Sequence, residues 1–145
     1  LGLAERAGLT IAGGAVAADA SMRTSAAAVL AAGDVAFAAN AAAGRPLRVE
    51  HWGEALNQGE VAGRTLAGAR ARWDAAPGFW STIGSRTVKH VAWGDGWDEA
   101  RLDEDADGFT VWYGRAGVTV GVLTHERDRD YDRGRGLVER GEPLP

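Results

Sequence analysis

The chain has 145 residues, of which 46% are hydrophobic, and it carries a net charge of −4 at pH 7. This composition is typical of a globular protein, and the negative charge argues against a nucleic-acid partner held through its phosphates. No apolar stretch approaches the roughly 20 residues that span a bilayer, and no cysteine is present to form disulfides or thiolate metal sites. We therefore expect a cytoplasmic protein with neither a membrane nor a nucleic-acid partner.

The first 45 residues are predicted to form short elements built mainly from small side chains. We expect the end of a helix, one strand and a second strand, at residues 1–7, 15–18 and 28–32. Gly33 and Asp34 would stop the second strand, and residues 38–44 would form an alanine-rich loop. Because position 1 is not a methionine, we expect the chain to be the carboxyl part of a longer polypeptide.

The rest of the chain changes from helical to strand-like patterns. An extended segment at residues 48–50 leads into a predicted helix over residues 53–67, and residues 70–85 are expected to be irregular. Four segments rich in β-branched and aromatic residues follow, and they predict antiparallel strands: RTVKHVAW, EARLD, FTVWYG and VTVGVLTH, beginning at Arg86, Glu99, Phe109 and Val118. A final helix is expected over residues 128–139. The pattern indicates an α+β fold, with a domain boundary near residue 45.

The Gly33-Asp34 pair is a candidate ligand site at the end of the expected second strand. Ligands of open α/β sheets bind beyond the carboxyl ends of strands. The Asp34 carboxylate could accept hydrogen bonds from the hydroxyl groups of a sugar or ribityl chain. A Gly-Asp pair at a strand end is also common as a simple turn, and the sequence alone leaves both interpretations open.

The start of the residue 53–67 helix is a second candidate site. Its first turn exposes N–H groups and partial positive charge, which stabilise a negatively charged ligand. A stripe of mostly small side chains along one face would allow close approach of a backbone or a flat ligand: Ala55, Gly59, Ala62 and Leu66. His51 and Trp52 would flank that ligand. In the alternative interpretation, Trp52 is a core residue that fastens the helix to the sheet.

The two candidate sites occur in an order that resembles a known family. The run MRTSAAAVLAAGDVAF, followed by RVEHWGEALNQGEVAGRTLAG, is similar to FAD-dependent NAD(P)H reductases of the ferredoxin-reductase type. These enzymes belong to the pyridine nucleotide-disulfide oxidoreductase superfamily. The stretch that begins GFWSTIGSRTVKHVAW also looks like the terminal domain of an actinobacterial-type branch of this family. The resemblance covers nearly the whole chain.

The resemblance implies a division of the chain and a mechanism for the complete enzyme. Residues 1–45 would end an α/β FAD-binding domain. Residues 46–145 would form the reductase carboxyl-terminal domain, with an antiparallel sheet and flanking helices, which covers the flavin and contributes to homodimer contacts. Electrons would pass from NAD(P)H through FAD to a ferredoxin-like carrier. The chain has no GxGxxG motif for the FAD pyrophosphate, so the fragment alone is expected to be inactive.

The resemblance also assigns residues to the cofactor site. Asp34 matches the aspartate that binds the FAD ribityl chain, with Gly33 beside it. The Glu50-His51-Trp52 triplet matches the residues at the pyrimidine end of the flavin. The remaining matches are Ala55 and Gln58, which pack nearby on the helix, and the aromatic pair Phe79-Trp80, which would contribute to a wall near the flavin.

Some features of the sequence have interpretations other than a reductase. The β-rich half could act as a non-catalytic binding or assembly module. The segment DEDADG, residues 103–108, matches the opening of an EF-hand calcium loop. Its twelfth position is Gly114 instead of the required glutamate, so we expect an acidic hairpin tip. His90 lies on a strand face with Val88 and Ala92 and is expected to be a packed or interface residue.

Overall fold

The computed structural model describes residues 1–145, which divide into two compact units, Leu1–Ala75 and Ala76–Pro145. Both units combine helix and sheet, in agreement with the predicted α+β class. The boundary expected near residue 45 falls inside the first unit. None of the helices combines the length and the apolar character needed to cross a membrane.

The first unit consists of a four-stranded sheet and two helices. The helices are α1 (Gly2–Arg6) and α2 (Trp52–Leu66), and the strands, in spatial order, are β1 (Ile11–Ala12), β2 (Ala15–Ala18), β3 (Ala36–Asn40) and β4 (Arg45–Leu47). Strands β2 and β3 are parallel, and the other pairs are antiparallel. Helix α2 and strand β2 agree with the predictions. Strand β1 was not foreseen, and the extended segment expected at residues 48–50 is replaced by β4 three residues earlier.

The strand predicted at residues 28–32 is wrong. Leu30 makes only an isolated bridge with Arg23, whereas the segment interpreted as an alanine-rich loop contributes most of β3. Strand β3 buries alternate residues and pairs in parallel with Val16–Ala18. Alanine has a low intrinsic preference for β-strands, so the pairing with β2 decides which alanines form the strand.

The second unit is a five-stranded antiparallel sheet followed by a helix. Its strands are β5 (Gly78–Ile83), β6 (Arg86–Ala92), β7 (Glu99–Glu104), β8 (Phe109–Arg115) and β9 (Val118–His125), in the spatial order β5-β6-β9-β8-β7. Helix α3 (Asp128–Arg140) completes the unit. The four predicted strands and the final helix are confirmed. Strand β5 corrects the expectation that residues 70–85 are irregular, because Pro77 immediately precedes the strand and does not interrupt it.

Helix α3 packs closely against β9 because a glycine lies at the contact. Gly134 is buried, and a Cβ atom added to it would lie 2.4 Å from Cγ1 of Val122. The core beneath the helix is formed by buried apolar side chains: Ala76, Val91, Trp112, Val122, Leu137 and Val138. Gly134, which has a low helix propensity, is therefore required at this position by packing.

We predict that Gly134→Ala lowers the free energy of unfolding by about 1–3 kcal/mol, because the added methyl group would overlap Val122. Gly136→Ala, on the same helix, is the matched control. Its Cβ would contact only the flexible end of Arg140, so it should be neutral or gain up to about 1 kcal/mol of helix propensity. Urea unfolding measures both variants, and equal effects would contradict this account of the contact.

His90 lies on the β6 face expected from its alternation with Val88 and Ala92. Its imidazole is half-buried between aromatic rings, with centroids 5.2 Å from Phe79 and 6.3 Å from Tyr113. Burial lowers the pKa of His90 below its ordinary value of 6.5, because the charged form loses hydration. The expectation of a packed histidine agrees with this environment.

The lowered pKa predicts an acid-sensitive contribution of His90 to stability. Between the folded pKa and 6.5, the unfolded chain binds more protons than the folded protein, so the free energy of unfolding falls as the pH decreases through this interval. His90→Leu should reduce the difference in unfolding free energy between pH 7.5 and pH 5. An NMR titration that placed the His90 pKa at or above its ordinary value would contradict the prediction.

The acidic segment 103–108 forms the tip of the β7–β8 hairpin. The Asp105 carboxylate accepts hydrogen bonds from the backbone N–H groups of Asp107 (2.9 Å) and Gly108 (3.2 Å). It also forms an ion pair with Arg127, and this contact is the main cause that lowers the pKa of Asp105. The carboxylate therefore shapes the turn, as the hairpin interpretation expects.

Candidate functional site

The amino end of α2 is shaped by the histidine that precedes it. His51 is the N-cap in an extended conformation, and its Nδ1 atom accepts a hydrogen bond of 3.2 Å from the backbone N–H of Gly53. The first intrahelical bond runs from Ala55 N–H to the His51 carbonyl. The helix therefore begins at Trp52, and its amino end carries a partial positive charge there.

Trp52 is an exposed side chain at this helix end. It is 66% exposed, so the alternative in which it fastens the helix to the sheet as a core residue is wrong. Trp73 fills that structural role in the first unit: it is 1% exposed, and its Nε1–H donates to Glu54 Oε2 at 3.0 Å. Most of the Trp52 surface is consequently accessible to a ligand.

Asp34 lies in a short 3₁₀ turn, Gly33–Val35, that leads into β3. The expectation that the Gly33-Asp34 pair ends a strand is therefore wrong, because the pair precedes a strand. Gly33 adopts a φ of +76° and is buried, whereas Asp34 is exposed. The turn presents the carboxylate to solvent while its glycine faces the helix.

The turn and the helix end lie against each other within the first unit. A Cβ atom added to Gly33 would be 3.2 Å from the Cβ of Ala55, which is in the first turn of α2. The Gly33 N–H donates to Gln58 Oε1 at 2.8 Å, one turn further along the helix. The structure thus brings Gly33, Asp34 and Ala55 together beside the helix end that carries His51 and Trp52.

The buried face of α2 is polar and lies one residue away from the predicted stripe. The fully buried side chains are Glu54, Gln58 and Thr65. In the predicted stripe, Ala55 contacts the turn, but Gly59 faces open space and Leu66 is 71% exposed. Sequence reasoning gave Gln58 only a packing role, although its position one turn after Glu54 places both side chains on one face.

The other two predicted site residues have different surroundings. Glu50 is exposed and forms an ion pair of 2.5 Å with Arg48, immediately before the α2 cap. Trp80 belongs to the second unit, where it lies on β5 opposite Lys89 and is 53% exposed. Its neighbour Phe79 contacts the His90 ring.

Comparison with known proteins gives one consistent family. No family model matches the chain. A ferredoxin–NAD(P)(+) reductase from a Sphingomonas species is 37% identical over 125 residues, which cover 83% of this chain and 30% of that protein. The ferredoxin–NAD(+) reductase component of the anthranilate 1,2-dioxygenase system from Burkholderia cepacia is 33% identical over 142 residues, or 96% of this chain and 35% of that protein.

Solved structures give the same result. The ferredoxin reductase of the CYP199A2 system from Rhodopseudomonas palustris matches 99% of this chain and 36% of its own chain, with a TM-score of 0.88 and 26% identity. Putidaredoxin reductase, in its covalent complex with putidaredoxin, matches 99% of this chain and 34% of its own, with a TM-score of 0.87 and 26% identity. Over nearly its whole length, the chain is homologous to part of the ferredoxin reductases. The resemblance inferred from the AAGD and EHW motifs is thereby confirmed, and the chain spans about a third of the length of these family members.

The two tryptophans of the first unit provide a direct test of the site geometry. We predict that Trp52→Ala changes the free energy of unfolding by only about 0.5 kcal/mol, because the side chain is exposed. Trp73→Ala should cost about 3–5 kcal/mol, because it removes a buried ring and leaves Glu54 without that partner. Urea denaturation of both variants measures the contrast, and a Trp52→Ala loss as large as that of Trp73→Ala would restore the core interpretation.

Proposed function

We propose that the chain is the carboxyl-terminal part of an FAD-dependent NAD(P)H oxidoreductase of the ferredoxin-reductase type. In the complete enzyme, electrons would pass from NAD(P)H through FAD to ferredoxin or a similar carrier. One observation carries the proposal: the turn that exposes Asp34 lies against the first turn of α2. An exposed carboxylate and a positively polarised helix end therefore lie near each other in the first unit.

The donor and acceptor groups of this surface fit an FAD molecule. The exposed Asp34 carboxylate accepts hydrogen bonds only, so it suits the hydroxyl groups of a sugar-alcohol chain. The α2 amino end supplies N–H dipoles that suit the carbonyl edge of a ring. Trp52 adds an exposed aromatic surface for a planar group. The carboxylate, the helix end and the aromatic ring thus suit the ribityl chain, the carbonyl edge and the planar ring of a flavin, respectively.

Bound FAD would supply the exchange between the two-electron chemistry of NAD(P)H and a one-electron carrier. The contribution of this chain is electrostatic and positional. The partial positive charge at the α2 amino end would stabilise negative charge on a reduced flavin held there. The His51 cap keeps the helix end in place, and Trp52 would shield one side of a bound flavin ring from water. Glu50 and Ala55 complete the proposed cofactor residues of the first unit.

The proposal extends to residues and partners outside this surface. In the second unit, Phe79 and Trp80 are proposed as cofactor residues on the family resemblance alone. A ferredoxin-type partner is supported by the names of the relatives and by the putidaredoxin complex among the similar structures. A homodimer formed through the second unit and a cytoplasmic location are further parts of the proposal.

We predict that Asp34→Asn in the complete protein weakens FAD binding by about 1.5–3 kcal/mol, or roughly 10- to 150-fold, because a charge-assisted hydrogen bond is lost. Asp74→Asn removes another exposed carboxylate of the first unit and is the matched control, for which no change in FAD affinity is expected. The measurement is titration of the apoprotein with FAD, followed by flavin fluorescence and absorbance.

The same titration tests the proposed function as a whole. A wild-type complete protein that stays colourless and does not respond to FAD would contradict the enzyme proposal and favour a non-catalytic binding module. A flavoprotein whose affinity is unchanged by Asp34→Asn would contradict only the placement of the ribityl chain at this carboxylate.

A further inference from the structure

Gln58 is a polar side chain at the centre of the first unit. It is completely buried, at 0% exposure, on the face of α2 that lies against the Gly33–Val35 turn. Its Oε1 atom accepts the backbone N–H of Gly33 at 2.8 Å. A buried backbone N–H has a high cost when it is unpaired, so this acceptor determines where Gly33 can lie.

The turn is held at its other end by a separate contact. The N–H of Ala36 donates to the Gly33 carbonyl and closes the turn, and Ala36 pairs with Val16 in the parallel sheet. Asp34 therefore lies between a residue fixed by Gln58 and a residue fixed by the sheet. The backbone that carries the exposed Asp34 carboxylate is therefore constrained on both sides, by Gln58 and by the sheet.

The packing of Gln58 has a cost that an apolar side chain would avoid. Its Nε2 atom is buried and has no hydrogen-bond partner. The Gly33 bond fixes the orientation of the amide, because only the oxygen can accept an N–H. Since the nitrogen is also covered by protein atoms, it is not a group that contacts a ligand directly. The oxygen is the part of the side chain with a defined partner.

We propose that Gln58 is a positioning residue for the cofactor, which acts through Asp34. By holding Gly33 against the first turn of α2, it fixes the Asp34 carboxylate in the orientation that accepts a hydroxyl group of the ribityl chain. This inference rests on the proposed function, because it requires a ligand at Asp34. In a purely structural role, by contrast, Gln58 would affect folding but would have no specific coupling to Asp34.

A double-mutant cycle in the complete protein separates these roles. The variants are Gln58→Met, which has a similar length but no strong acceptor, Asp34→Asn, and the combination of the two. When Asp34 is intact, Gln58→Met should weaken FAD binding about tenfold. When it is added to the Asp34→Asn variant, its effect should be less than about twofold, because the group through which it acts has already been changed. The readout is the dissociation constant of FAD from the apoprotein.

Two further variants control for loss of stability. Gln58→Glu keeps an oxygen that faces Gly33 in either protonation state, so FAD affinity should return to within about threefold of the wild type. Thr65→Ala removes another buried polar side chain from the same helix face, two turns further on. It should lower the free energy of unfolding without changing the FAD dissociation constant. If Gln58→Met does not fold, Gln58→Asn replaces it, because the shorter side chain withdraws its oxygen from Gly33.

The outcomes distinguish this inference from the proposed function. If Gln58→Met weakens FAD binding equally in both backgrounds, or if Gln58→Glu is as weak as Gln58→Met, the positioning role is overturned. Either result would leave the cofactor site intact, provided that Asp34→Asn alone still weakens binding. If Asp34→Asn alone has no effect on binding, the cofactor placement at Asp34 fails, and the positioning role fails with it.

Discussion

A single buried hydrogen bond, from the Gly33 N–H to Gln58 Oε1, fastens the Gly33–Val35 turn to helix α2. Gly33 has a left-handed φ, and a Cβ atom added to it would lie only 3.2 Å from the Cβ of Ala55. The turn therefore fits closely against the helix. The exposed Asp34 carboxylate and the capped helix end then lie on one surface. Without this contact, the proposed cofactor surface would lose the constraint that holds the Asp34 turn against the helix.

The same principle of a glycine at a close contact recurs in the second unit, with a different purpose. Gly134 allows α3 to approach β9, and the approach buries the apolar side chains that give this unit its core. The first unit has few large apolar side chains in its interior, and it relies on polar contacts such as that between Trp73 and Glu54. On the buried face of α2, Glu54 accepts a hydrogen bond from Trp73 and Gln58 accepts one from Gly33, and these two bonds fix the position of the helix more specifically than apolar packing would.

Elements with distinctive side chains are predictable from the sequence, and elements built mainly from alanine are not. The segments beginning at Arg86, Glu99, Phe109 and Val118 contain β-branched and aromatic residues, and their strands were predicted. The segment from residue 26 to residue 43 is dominated by alanine, and its pattern predicts a strand before Gly33, whereas the strand lies after it. The buried face of α2 was placed one residue late, because its polar side chains do not register in a hydrophobic pattern. The family resemblance assigns Asp34 and Trp52 to a cofactor site, and the structure adds the contact by which Gln58 holds the turn.

The most direct measurement is a crystal structure of the complete protein with FAD bound. The account predicts that an Asp34 carboxylate oxygen lies within about 3.2 Å of a ribityl hydroxyl group, with the flavin ring beside Trp52 at the amino end of α2. A structure in which the flavin is bound elsewhere, while Asp34 faces solvent and α2 has no ligand at its amino end, would contradict the central claim.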